Sequence, residues 1–483
     1  MGCQMNVLDS ELVLGQLCAL GYEPTHELAS ADLVLLNTCS VRQHAEDKVY
    51  SRLGEVGRAK AKHPEMLVGV IGCMAERDHE GLRRRARHVD LLCGPGNLNE
   101  IPALIEEIEL ARREHGKLTV ALALEHDHSR REPAARRTLL YDSIEALDIS
   151  RTKPMEGSLL QSYVRVQRGC DKFCTFCVVP FTRGPERSRP PGHIVEEARR
   201  LVDLGAREIT LLGQTVNSYS YDEGTRVTRF AELLARVHEV PGLERLRFVT
   251  SYPGDFTDDI LEAMRDLPRL CEYLHLPAQS GSNAVLKRMR RQYTVEQYVE
   301  LFERARAMVP GISLAGDFIV GFSGETEEEH AATLALLTRV RYKNVYMFKY
   351  SERPGTLAER RMIDDIPEDV KSRRHAELST LQHEISLAHH QALVGQCVEV
   401  LVEGYSKAAV RAQESEQSRG QETSWRRSDQ LTGRTRTDEI VVFSGSPSLI
   451  GQLATIRVTA ATALTLHGEV ASGPGPLVSS PTV

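Results

Sequence analysis

The sequence predicts an α/β protein in three parts: an amino-terminal doubly wound parallel sheet, a central partial (β/α) TIM-like barrel and a small carboxy-terminal β-barrel. Up to about residue 390, short apolar runs alternate with amphipathic stretches of helical spacing, the pattern of parallel strands joined by crossover helices. From residue 391 onward the apolar period falls to two, as in an antiparallel barrel. The 483 residues are also too many for one core, so about three domains are expected.

Composition narrows the class. With 41% apolar and 26% charged residues, the chain has enough apolar surface to bury a core and is not a disordered tail. It contains no run of eighteen apolar residues and no signal-peptide pattern, so no membrane partner and a cytoplasmic location are expected. In such a reducing compartment, the ten cysteines point to metal binding or catalysis over disulfides. The net charge of −7 advertises no polyanion, and any nucleic-acid contact has to come from local basic patches.

Residues 1–120 form the first unit, with strands predicted at 32–36, 67–71 and 89–92 and helices at 41–60 and 75–87. A further helix is expected to start near Asp9, with Asp9 or Ser10 as its cap, because both side chains accept from the free amides of a first turn. Cys3, Cys39 and Cys73 each stand where a strand gives way to a helix. That edge of a doubly wound sheet binds ligands, so the three thiols are expected to converge. The strand that should precede Cys3 is absent from MGCQMN; either a start upstream of Met1 or a trimmed amino terminus is the expectation that follows. Cys93 also ends a strand, but it is read as a packing residue, like Cys18, Cys271 and Cys397, since a buried free thiol behaves as a small apolar group. Residues 121–157 lose periodicity and read as a linker, His126-Asp127-His128 included.

Residues 158–390 repeat strand then helix, with strands predicted at 163–167, 208–212, 245–249, 273–276, 314–320 and 344–348 and helices at 194–204 and 295–308. Such barrels carry their chemistry at the carboxyl ends of the strands, where Cys170, Gln214, Ser251, Gln279 and Gly321 fall. Glycine there lets backbone approach an adenosyl group, and side chains such as Gln214, Gln279 and Asp317 can meet its hydroxyls and amino group. Lys287, Arg288, Arg290 and Arg291 read as a solvated helix face or as phosphate contacts.

The densest chemistry lies in RGCDKFCTFCVVPFTRGPERSR, residues 168–189, where Cys170, Cys174 and Cys177 form a CxxxCxxC triplet directly after a strand. A complete structural zinc or ferredoxin site takes four ligands. Three thiolates leave one iron of a four-iron cluster open, which can bind the amino and carboxylate groups of S-adenosylmethionine. A zinc knuckle with its fourth ligand elsewhere is the alternative reading of the bare triplet.

In the last unit, 391–471, strands are predicted at 398–402, 439–443, 452–458 and 464–470. Lys407, Arg411, Arg419, Arg426, Arg427, Arg434 and Arg436 lie between them, a basic lip suited to looped or single-stranded RNA. Residues 412–427 look like an inserted loop and 472–483 like a disordered tail.

Together GCQMNVLDSE, NTCSVR, GCMAER, the triplet segment, QSGSNAVLKRMRRQYT, GDFIVGFSGETEEE and LTGRTRTDEIVVF resemble the radical-SAM methylthiotransferases, in the right order and over nearly the whole chain. Phe176 stands where that superfamily has an aromatic residue before the last cysteine, and Ser323 stands where the family usually has proline. The resemblance implies two 4Fe-4S clusters. One, on Cys170, Cys174 and Cys177, cleaves S-adenosylmethionine; an auxiliary one, on Cys3, Cys39 and Cys73, supplies sulfur. S-adenosylmethionine then serves as methyl donor and as radical source. Phe176, Gln214, Ser251, Gln279, Asp317 and Gly321 are expected to contact that cofactor. The last unit resembles the TRAM domain, an RNA-binding module. Gln4-Met5-Asn6 after Cys3 resembles the branch that adds a methylthio group to carbon 2 of N6-isopentenyladenosine next to the anticodon in tRNA. Other branches act on threonylcarbamoyl-adenosine in tRNA or on a ribosomal-protein aspartate. The partners so implied are a tRNA anticodon loop and an electron donor such as flavodoxin or ferredoxin, with the chain acting as a monomer.

Overall fold

The computed structural model describes residues 3–40, 43–115, 120–124, 148, 160–411 and 429–471. Most of the expected linker, the 412–427 loop and the tail from 472 lie outside the described residues.

The first unit is a parallel sheet of β1 (Leu33–Thr38), β2 (Leu67–Gly72), β3 (Leu91–Cys93) and β4 (Ala121–Ala123), paired in that order. Helix α1 (Gln4–Ala19) packs on one face with the later α5 (Ile101–His115). On the other face lie α2 (Gln43–Lys60), α3 (Cys73–Arg77) and α4 (His79–Arg85). Both faces are covered, as the all-apolar LVGVIG of β2 requires. β4 falls within the expected linker, yet it extends the sheet beside β3. Three residues of an Ala/Leu run are too few for a sequence period to register.

Helix α1 begins at Gln4, with Cys3 at its N-cap position, five residues before the expected start. Met5, Leu8 and Leu12 already carry the apolar stripe, and Asp9 is a buried interior residue, not a cap. The expected helix 75–87 is two helices, α3 and α4, meeting at Asp78.

The second unit has six strands in two parallel ladders. The first runs β5 (Gln161–Arg165), β8 (Glu208–Leu212), β11 (Arg245–Phe248); the second runs β12 (Tyr273–His275), β13 (Ser313–Val320), β14 (Asn344–Lys349). Between them, Leu246 bridges Leu270, so the strands follow one another as an open barrel. A two-residue ladder of β6 (Gln167–Arg168) with β7 (Arg187–Ser188) closes the triplet loop at its base. A small hairpin, β9 (Ser220–Asp222) and β10 (Val227–Arg229), follows β8. The helices of this unit are α6 (Val179–Thr182), which lies in the triplet loop, and then α7 (Pro191–Asp203), α8 (Phe230–His238), α9 (Asp258–Asp266), α10 (Asn283–Arg288), α11 (Val295–Met308), α12 (Glu327–Val340), α13 (Leu357–Arg361) and α14 (Glu368–Gln391). Helix α14 does more than join two units: Gln382 and Ser386 donate to the carbonyls of Tyr342 and Lys343 (both 2.8 Å).

The third unit is a closed barrel of β15 (Cys397–Tyr405), β16 (Gln430–Thr435), β17 (Ile440–Ser444), β19 (Leu466–Val470) and β18 (Leu453–Ala461), in that spatial order. β16 is not among the predicted strands, because its buried positions are Leu431, Gly433 and Thr435, with little apolar bulk. This barrel is docked at the amino ends of the central strands. Arg245 donates to Arg434 O (2.7 Å) and Glu399 (3.0 Å). Arg247 donates to the carbonyls of Thr435 (2.6 Å) and Arg436 (2.8 Å). Arg436 pairs with Glu272 at 2.7 Å and Arg434 with Asp438 at 2.7 Å. Two of the seven cations expected on the RNA lip thus serve intramolecular pairs.

Candidate active site

Each thiol trio is built by its backbone. After β6 the chain turns at Gly169, whose φ of 71° and whose missing Cβ, which would sit 2.0 Å from Pro185 O, admit only glycine. Cys170 N donates to Gly184 O (3.1 Å) and Cys177 N to Cys174 O (3.1 Å). Thr175 is held on both sides: its amide donates to Met289 O (3.1 Å), its hydroxyl to Arg288 O (3.0 Å), and its carbonyl accepts from Ala358 N (2.8 Å). The three thiols face one another. Burial pushes Cys170 up to about 12, and the neighbouring Cys174 adds to it. Burial, then Cys174 and Cys170, raise Cys177.

In the amino-terminal trio Cys3 hydrogen-bonds with Cys39, and Cys73 shares Arg183 with Cys3. Thr38 is in register with Gly72 on the neighbouring strand, so Cys39 and Cys73 leave adjacent strand ends. Gly72 has φ 92°, and a Cβ there would meet Thr38 O at 2.6 Å. Cys3 joins them from the start of α1, and its hydrogen bond with Cys39, then Arg183, lower it to about 6 against the opposing effect of burial. Arg183 in turn is held charged by Asp9 first and then by Cys73 and Cys3. Asn6 fixes the corner: its amide donates to Asn37 Oδ1 (3.0 Å) and Thr38 O (2.9 Å), and it accepts from Cys3 Sγ (3.3 Å).

One loop serves both trios. It leaves Cys177, forms α6 against α3, and delivers Arg183 to the second trio. Arg183 meets Asp9 at 2.7 Å, and Arg165 bridges Asp9 (3.4 Å) and Asp148 (2.7 Å). Beside the first trio, Arg291 donates to Cys174 Sγ at 3.4 Å, and its guanidinium stacks over Tyr252 (4.6 Å) and Tyr293 (5.1 Å). Arg288 pairs with Glu329 (2.6 Å). Neither arginine is the solvated face that the run of basic residues suggests. Arg183 has a sequence signal in its place on the triplet segment; Arg291 has none, since its partners come from three separate stretches.

The remaining expected residues divide. Gln214 and Ser251 stand just past β8 and β11, and both Gln214 Oε1 and Ser251 Oγ are buried without a hydrogen-bond partner among the described residues. Such orphaned groups suit a polar ligand. Gln279 lies beyond β12 with φ 74°, its amide donating to Asp317 O (2.8 Å). Asp317 is inside β13, not at its end, and is taken up by His275 Nε2 at 3.0 Å. Gly321 follows β13 and donates to Glu325 Oε2 (2.6 Å). Phe176 packs edge-on against Phe322 (6.3 Å) within an apolar patch. Phe173 and Phe181 are the exposed aromatics of the loop, 41% and 40% accessible, edge to face at 6.3 Å. Among the described residues no three His, Cys, Asp or Glu side chains close in as ligands of one metal ion would. A set of three thiolates is one ligand short of a complete zinc or ferredoxin site and fits a four-iron cluster with one iron left open.

Residues 164–337 match the Radical SAM superfamily, residues 1–94 the uncharacterized protein family UPF0004, and residues 421–471 the TRAM domain. The fold and its triplet loop thereby define a radical-SAM enzyme, with S-adenosylmethionine and 4Fe-4S chemistry. The chain is 47% identical over 97% of its length, and 94% of the relative's, to a tRNA-2-methylthio-N(6)-dimethylallyladenosine synthase of Rhodopirellula baltica. It is 43% identical to the enzyme of the same name from Moorella thermoacetica, over 98% of this chain and 97% of that one. The chain belongs to this family of synthases. Among solved structures it is similar to a radical S-adenosylmethionine methyltransferase, TsrM, from Kitasatospora setae, with TM-score 0.46 and 14% identity over 72% of this chain and 66% of that one.

Proposed function

We propose that the protein adds a methylthio group to carbon 2 of N6-isopentenyladenosine next to the anticodon of tRNA. The observation that supports this reading is a single loop that carries Cys170, Cys174 and Cys177 at one end and, at the other, Arg183 beside Cys73 and Cys3. When bound there, the two clusters and S-adenosylmethionine supply an electron, a carbon radical and sulfur. A carbon-bound hydrogen on an adenine ring is beyond the reach of any general base in this chain, and such chemistry is what the base requires.

The chain's own residues position and enclose. Gln214 Oε1 and Ser251 Oγ are acceptors without partners, placed to take the hydroxyls or amino groups of S-adenosylmethionine. Phe173 and Phe181 offer an unstacked base an aromatic surface beside the trios, in the way aromatic side chains hold splayed RNA bases. Lys172, paired with Asp255 and lying 5.3 Å from the Tyr252 ring, fixes the loop from below. The terminal barrel is docked at the other ends of the strands, so its exposed Lys407 and Arg411 hold tRNA away from the base under modification. We infer a flavodoxin- or ferredoxin-like electron donor and a monomeric, cytoplasmic enzyme; no helix among the described residues is long and apolar enough to cross a membrane.

The test is mass spectrometry of nucleosides from isopentenylated tRNA after anaerobic incubation with the reconstituted chain, S-adenosylmethionine and a reductant. A methylthio addition on isopentenyladenosine supports the reading. Unmodified tRNA, or methylthiolation found on a ribosomal peptide or on threonylcarbamoyl-adenosine, overturns it.

A further inference from the structure

Both trios have an arginine beside them, but the two cations differ in one respect. Arg183, at the amino-terminal trio, is neutralised by Asp9, 2.7 Å away. Arg291, at the triplet, has no carboxylate in ion-pair reach among the described residues. Its neighbours are two tyrosines and a thiol: Nε donates to Tyr293 Oη (2.9 Å), Nη2 to Pro277 O (3.1 Å) and Nη1 to Cys174 Sγ (3.4 Å). Tyrosine rings lie over the guanidinium at 4.6 and 5.1 Å, and Tyr293 is itself held by the carbonyls of Pro277 and Ala278 (3.1 and 2.8 Å). The group is therefore fixed in place, not swinging in solvent. A guanidinium does not titrate in a protein, so this charge is present at every working pH.

A fixed cation without an anion, walled by aromatic rings, is costly to leave uncompensated. Cys174 as a thiolate is the anion within reach, and a cluster adds further negative charge when it takes an electron. Charge and N–H···S hydrogen bonds at a ligand sulfur are two of the levers that set a cluster's reduction potential. We infer that Arg291 is a positioning residue of the triplet site: its unneutralised charge and its hydrogen bond to Cys174 make the cluster held there the easier of the two to reduce, directing the electron to the S-adenosylmethionine side and away from the amino-terminal trio. The inference rests on the proposed cluster assignment, and its test reads potential, not product.

The experiment uses the full chain with Cys3, Cys39 and Cys73 replaced by serine, reconstituted anaerobically so that one cluster is read, and titrated with dithionite under electron paramagnetic resonance. Arg291→Gln, which removes the charge, is expected to cut the ratio of reduced to oxidised cluster at a fixed poise at least tenfold, a midpoint about 59 mV lower for one electron. Arg291→Lys, which keeps the charge without the fork, is expected to recover most of that loss. If Arg291→Gln fails to hold iron while Arg291→Lys holds it, the charge requirement stands. An unchanged midpoint in Arg291→Gln overturns the inference, and so does a lysine variant that loses iron or potential as completely as the glutamine one. Failure of the parent protein to load iron at the triplet would instead contradict the cluster assignment.

Discussion

At the scale of single residues, the six proposed ligands are not equivalent before metal arrives. Cys3 is lowered to about 6 by its hydrogen bond with Cys39, while Cys170 is raised to about 12 by burial. A lowered thiol is largely thiolate at pH 7, and thiolate is the nucleophile. Brief alkylation of the metal-free chain at pH 7 should therefore label Cys3 before Cys170 by peptide mass spectrometry. Lowering the pH below 6 should slow the labelling of Cys3, since its proton returns there. In the loaded enzyme, Cys174→Ala should abolish S-adenosylmethionine cleavage, whereas Cys39→Ala should leave cleavage and lose methylthio transfer, both measured by chromatography of the reaction products. Methylthiolation retained by Cys39→Ala would contradict the sulfur role. Gly169→Ala drives a Cβ into Pro185 O and should empty the triplet alone, halving the iron content. The cysteines are legible in the sequence because three similar thiols repeat at element ends. Around them, Arg183 has a signal in its place on the triplet segment, but the network of Asp9, Arg165 and Asp148 has none, since nothing in a linear pattern marks a carboxylate of one domain for the arginine of another.

At the scale of elements, strands of the central barrel emerge within a few residues of expectation because an apolar run bounded by turn residues leaves little ambiguity. The differences have a common physical origin in side chains that answer to distant partners. Asp9 has the look of a cap because aspartate suits a first turn, but it is an interior counter-ion to Arg183 and Arg165. Removing one partner of such a buried network leaves a charge uncompensated, at about 3–5 kcal/mol. Asp9→Asn should therefore lower the stability of the metal-free chain by that order, measured by urea denaturation followed by circular dichroism. A loss below about 1 kcal/mol would mean that the network is not what joins α1 to the barrel. β16 escapes a reading of apolar period because a closed five-stranded barrel buries Gly433 and Thr435 where larger residues would not fit: a Cβ on Gly433 would lie 2.2 Å from Leu401 O.

At the scale of the whole molecule, the three units divide labour along the axis of the central strands. The trios sit at the carboxyl ends, and the terminal barrel is clasped to the amino ends by Arg245, Arg247 and Arg436. A strand of eight residues such as β13 spans about 26 Å, so tRNA that touches both ends is gripped across the thickness of the enzyme. Charge reversal of Lys407 and Arg411 should weaken tRNA binding and flatten its salt dependence, by about one unit of slope for each phosphate that is no longer neutralised. Uncoupled cleavage of S-adenosylmethionine should be unaffected. The order of the units is readable from the switch in apolar period; their docking is not, because Arg434 and Arg436 look alike on paper whether they face RNA or Glu272. Everything proposed for the enzyme depends on two separate iron sites, each made by its own trio. Iron analysis of anaerobically reconstituted protein tests that most directly. The account predicts about eight irons in the parent chain and about four in each of two triple variants, one lacking Cys3, Cys39 and Cys73 and the other lacking Cys170, Cys174 and Cys177. A parent chain holding about four irons, or an amino-terminal triple variant that still holds about eight, would contradict it.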